Sequence, residues 1–164
     1  MITRLFWSAM FLLIAASVQA QGISLPEING WQAKPEDYLV YQSGLLKAFY
    51  VKREYRKGTQ QIQILIAGGP EGDRIKQALE NRFQLETKDY YLRYQKLGEY
   101  QAFLTYHRPE KEGIVAIFLA QDPVLILLAR YQGLEDKEAL KLLQRLKWEE
   151  IRDQGLKLLK RDQR

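Results

Sequence analysis

The chain holds no cysteine and a single histidine among its 164 residues. The missing thiols exclude a disulfide framework, a thiolate-ligated zinc centre and a lipid carried on a cysteine behind a signal sequence. One imidazole, His107, excludes a metal site built on paired histidines. No serine or cysteine nucleophile is marked out for it, which argues against His-based hydrolysis and leaves a surface or edge-strand histidine as the plain reading. Charge of one sign is thinner than it looks. The formal net charge is +5, but Arg152–Arg164 carries five basic residues against Asp153 and Asp162, so the body is close to neutral. A nucleic-acid binder needs a basic face on the domain itself, and that class is excluded.

At the N-terminus Met1-Ile2-Thr3-Arg4 is a short positive region, Leu5–Val18 is apolar, and Val18-Gln19-Ala20 fits a small-residue cleavage site. This is the pattern of an export signal, cut after Ala20 so that the mature chain begins at Gln21. The apolar run is shorter than the ~20 residues that span a bilayer. Export without cysteine points to the bacterial periplasm or exterior.

Residues 21–35, with Pro26, Gly30 and Pro35 and no periodicity, read as a leading loop that tucks Trp31 against the fold. Residues 36–151 read as one α+β domain, and 152–164 as a basic, frayed tail interrupted at Gly155. The domain is organised around two apolar runs, Ile114–Ala120 and Val124–Tyr131, which the Gln121-Asp122-Pro123 turn signal separates. Both are short and rich in Ile, Val, Leu and Phe, so they predict a hairpin. Val124–Ala129 has no polar residue, and a strand apolar on both pleat faces belongs at the centre of a sheet.

Upstream, Leu46–Arg56 and Gln60–Ala67 form a second hairpin across Lys57-Gly58, with Ile62, Ile64 and Ile66 on one face and Gln61 and Gln63 on a wetter one. Glu36–Ser43 is a short strand or a helical turn. Ile75, Ala78, Leu79 and Phe83 follow helical spacing over Glu71–Phe83, with Glu71 and Asp73 suiting the positive end of the helix dipole. Tyr90–Leu97 and Glu99–Arg108 lead as strands into the central pair, and a second helix covers Glu135–Lys147. The expected fold is an antiparallel sheet of about six strands with two main helices, in the order strand–strand–helix–four strands–helix.

Leu25-Pro26, Gly30-Trp31, the hairpins and the terminal helix together resemble small exported bacterial proteins of uncharacterised function, and more loosely the PsbP-like α/β/α sandwich. The resemblance spans Leu25–Ile151 and implies an architecture, not an activity.

The Gly68-Gly69-Pro70-Glu71-Gly72-Asp73 turn joins a strand to a helix, a setting in which backbone N–H groups can hold phosphate. It has neither dinucleotide nor P-loop spacing, and its acidic residues repel an anion, so it reads as chain reversal. Ten tyrosines outnumber six phenylalanines, and arginines alternate among them. Tyr and Arg each offer area plus a polar tip, which makes Tyr55, Arg93, Tyr94, Tyr106 and Arg108 the expected binding face. No catalytic, cofactor or metal residues are expected. The expected role is a non-enzymatic envelope domain that contacts a protein or small ligand through that face. A small-molecule or lipid carrier is the alternative, and the basic tail has possible contact with anionic lipid or an acidic partner.

Overall fold

The computed structural model describes residues 23–44, 46–80 and 84–160, and the expected export signal lies outside them. In chain order the elements are β1 (Gln32–Ala33), β2 (Asp37–Ser43), β3 (Leu46–Lys57), β4 (Gln60–Gly68), α1 (Pro70–Glu80) and β5 (Leu85–Glu86). After these come β6 (Tyr90–Leu97), β7 (Tyr100–His107), β8 (Glu112–Gln121), β9 (Val124–Gln132), α2 (Asp136–Gln144) and α3 (Trp148–Lys160). The strands form one antiparallel sheet in the order β1-β3-β4-β9-β8-β7-β6-β5, and β2 runs beside β3 on the same edge as β1.

The α+β class and the antiparallel sheet agree with the sequence reading, and the apolar run Val124–Ala129 lies in a central strand. β9 pairs with β4 on one side and β8 on the other, and Leu125, Ile126, Leu127 and Ala129 have no exposed surface. The count of elements differs: among the described residues there are nine strands and three helices, not six and two. Two of the additional strands, β1 and β5, are two-residue edge pieces too short to leave a periodic signal. A third, β2, is the stretch whose sequence left strand and helical turn open.

Helix α3 is the larger correction. The sequence reading breaks the helix at Gly155 and frays the chain beyond it, yet α3 runs through Gly155 to Lys160. Ile151, Gly155, Leu158 and Leu159 fall at i, i+4, i+7 and i+8 and form one stripe against the sheet. A Cβ built on Gly155 would stand 2.7 and 2.9 Å from the two methyl carbons of Leu125. Glycine is there because the helix backbone comes that close to the sheet.

Two layers cover the sheet. On one face α2, α3 and the segment holding Leu25, Ile28 and Trp31 bury Ile62, Ile64, Ile66, Val115, Ile117 and Leu127. On the other face α1 lays Ile75 and Leu79 on Phe103, Phe118, Val124 and Ile126. Fully burying a side chain of this size contributes roughly 1.5–3 kcal/mol, so the larger cluster dominates stability. No helix among the described residues is long and apolar enough to cross a membrane.

Candidate functional site

Strand register sorts the face under α1 into rows. Arg56, Gln61, Gln132, Glu112, His107 and Tyr90 stand side by side across six strands. The next row reads Glu54, Gln63, Arg130, Ile114, Thr105 and Leu92. The third is Lys52, Leu65, Leu128, Ala116, Phe103 and Tyr94. Polarity falls from the first row to the third, and α1 sits over the apolar end, where its Ile75 and Leu79 find partners. The polar end carries the candidate site.

Two adjoining hollows of about 210 and 130 Å³ lie there and share Glu112, Arg130 and Tyr131 in their walls. The first is bounded by Gln61, Gln63 and Gln132, the second by Tyr90, Thr105 and His107. Thr105 is nearly buried, and its hydroxyl oxygen accepts the Ile114 N–H at 3.2 Å, which fixes the floor. Gln63 donates to the Glu54 carboxylate at 3.2 Å. That carboxylate also binds Lys34, whose hydrogen bond holds the Glu54 carboxyl below the usual range. Arg130 has neither an ion-pair nor a hydrogen-bond partner among the described residues, so its guanidinium faces the hollows unspent.

The β7–β8 turn adds a second chemistry. Lys111 takes a positive φ of 50°, and its ammonium reaches Glu135 at 2.8 Å. Around this turn His107 Nδ1 lies 3.8 Å from a Glu110 oxygen, and the donor atoms of His107, Glu110 and Glu112 all fall within 4.8 Å of one another. One imidazole with two carboxylates is a donor set that a divalent ion such as zinc or manganese can use. The sequence reading found no partner for the histidine. The pairing of Glu112 with His107 across the hairpin supplies one.

The five residues expected to form a binding face do not share one surface. Tyr55 is fully buried beneath the leading segment, where its hydroxyl donates to the Pro26 carbonyl at 2.9 Å; burial, its main cause, pushes its pKa up to about 12. Tyr94 lies on the α1 face and donates to the Leu79 carbonyl. The other three gather around Tyr91 on the opposite face. The guanidinium carbons of Arg93 and Arg108 lie 4.2 and 5.6 Å from the centre of its ring, and the Tyr106 ring lies 5.8 Å away.

Most of this group is internally satisfied. Tyr91 donates to Asp136 and Tyr106 to Glu135, each at 2.8 Å, which ties the start of α2 to the sheet. Arg108 holds the Thr87 and Lys88 carbonyls at 2.8 and 2.9 Å and Glu86 at 3.0 Å. Burial, then the Glu135 hydrogen bond, pushes Tyr106 to about 12. Arg93 Nε is buried with no hydrogen-bond partner among the described residues. The cluster works as a clamp rather than an open face.

Glu112, Arg130 and the three glutamines were missed because they are ordinary in sequence. Only the alternation of Gln61 and Gln63 against the isoleucines signalled a wet face. Compared with protein-family models, with curated proteins and with solved structures, the chain matches none.

Proposed function

We propose that this is a non-enzymatic binding domain, exported to the envelope, that holds a small polar ligand on the open half of its sheet. The observation that carries the reading is Arg130, a cation without an internal partner among the described residues that stands among Gln61, Gln63 and Gln132. Amide groups exchange hydrogen bonds with hydroxyls, and a guanidinium takes a carboxylate in two parallel bonds. Together they suit a hydroxylated acid, of which a sugar acid is the simplest case. The site expected from sequence, centred on Tyr55, Arg93, Tyr94, Tyr106 and Arg108, gives way to this groove because most of its polar tips are spent internally. An interior lipid carrier draws less support, since the space between the sheet and α2 and α3 is filled by side chains at or near zero exposure.

The test is an amide-resolved NMR titration with glucuronate and with glucose as the neutral control. Glucuronate should move the Gln61, Gln63 and Gln132 side-chain signals, and Arg130→Met should abolish the response. A glucuronate response elsewhere, or one that Arg130→Met leaves intact, refutes the reading.

A further inference from the structure

A separate cavity of about 300 Å³ opens beside α2, on the side of the sheet opposite the groove. Its walls come from four parts of the chain. Trp31 belongs to the leading segment, Lys57 and Gln60 to the β3–β4 turn, Leu134 to the approach to α2, and Lys141, Leu142 and Arg145 to α2 and its C-cap. The positive φ of Gly133, at 74°, and its contact with the Thr59 carbonyl (a Cβ there would stand 3.2 Å from that oxygen) bring turn and helix together.

The donors that line this cavity are unspent. Lys57, Lys141 and Arg145 make no ion pair, and the Trp31 indole and Gln60 amide make no side-chain hydrogen bond, among the described residues. Elsewhere Lys34, Arg53, Lys111 and Arg152 all hold carboxylates. The one acid in the lining is Glu138, and its carboxylate is committed to the capping box of α2, accepting the Glu135 N–H at 3.2 Å. The cavity therefore keeps a net positive wall above an apolar floor of Leu134, Leu142 and the indole face. Its volume is near the lower end of the range for small-molecule sites.

We propose that this cavity binds a phosphate group borne by a small organic body, with Lys57, Lys141 and Arg145 on the phosphate oxygens and the body against Trp31. Lysine and arginine complement phosphate through charge-assisted hydrogen bonds, and the indole N–H adds a fixed donor. The phosphate has two possible sources, a soluble phosphomonoester or the headgroup of an anionic lipid.

Calorimetric titration with glycerol 3-phosphate, and flotation with phosphatidylglycerol or phosphatidylcholine vesicles, separates them. Saturable binding of glycerol 3-phosphate, with a shift of the Trp31 indole N–H signal, assigns the soluble source. Binding to phosphatidylglycerol vesicles alone assigns the lipid source. In either case Lys141→Ala and Arg145→Ala should each weaken binding about tenfold, the scale of one charge-assisted hydrogen bond. All three cations are exposed, so the variants should keep the wild-type urea midpoint. No binding to either probe, or binding that survives the Lys57→Ala/Lys141→Ala/Arg145→Ala triple variant, overturns the proposal. Arg130→Met, which tests the groove, should leave this binding unchanged.

Discussion

Replacing Gly155 by alanine sets two effects of similar size against each other. In a helix interior alanine is favoured over glycine by about 1 kcal/mol, so an exposed site would gain that much. At Gly155 the new methyl would lie 2.7 and 2.9 Å from Leu125 Cδ2 and Cδ1 and 3.4 Å from Phe49 Cζ. Leu125 has no exposed surface and sits in a central strand, so it has little room to turn away. Overpacking of this kind costs about 1–3 kcal/mol. Taking its middle value against the helical gain, Gly155→Ala should destabilise by about 1 kcal/mol, read as a lower urea midpoint at unchanged slope. Leu125→Ala alone should cost about 2–5 kcal/mol. In that background the sign should reverse, and alanine at 155 should raise stability by about 1 kcal/mol because the clash is gone and the helical gain remains. A stabilising Gly155→Ala in the otherwise native chain would refute the close approach of α3 to the sheet.

Three further outcomes rest on the same geometry. Gly113→Ala should cost about 3 kcal/mol in urea unfolding, because its methyl would lie 2.3 Å from the Thr105 carbonyl oxygen and 2.5 Å from the Tyr131 hydroxyl; adding Tyr131→Phe should restore only part, since the clashes with the backbone and with the ring Cζ at 2.7 Å stay. Tyr55 and Tyr106 are raised to about 12, so the unfolded chain releases their protons first; urea midpoints should hold below about pH 10 and fall as pH rises toward 12, and Tyr55→Phe should make the fall shallower. Glu135 is shifted the other way, lowered by its hydrogen bonds with Lys111 and then Tyr106. Its contribution should be present above the ordinary carboxylate range and vanish on acidification through its lower folded value, and Glu135→Gln should remove that part of the acid slope.

The centre of the fold was legible because burial leaves a mark in composition. A strand covered on both faces must be apolar at every position, and Val124–Ala129 is. The Gln61 and Gln63 alternation likewise announced a wet face, and Ile75 and Leu79 announced the helix that covers its drier end. Register is where legibility stopped. Nothing in the order of residues says that Gln61, Gln132, Glu112 and His107 stand in one row, because each belongs to a different strand and the row exists only once the strands are paired. Tyrosine misleads for a related reason. Its ring and hydroxyl suit a recognition surface, but they equally suit a buried ring whose tip reaches an inner acceptor, as at Tyr55 and Tyr106. Gly155 reads as a helix breaker until the sheet beneath it is present.

The place of β9 has a consequence for the order in which the molecule can assemble. β1 to β4 precede α1 and β5 to β8 come after it, and the backbone bonds that join these halves of the sheet all run through β9, the last strand in the described chain. Until Val124–Gln132 is available, β4 and β8 each present an unpaired edge, and the contacts that close the sheet span long sequence separations, which slows folding. A chain that emerges from its N-terminus therefore keeps its two hairpin sets unjoined until β9 has emerged, and the sheet closes in one late step.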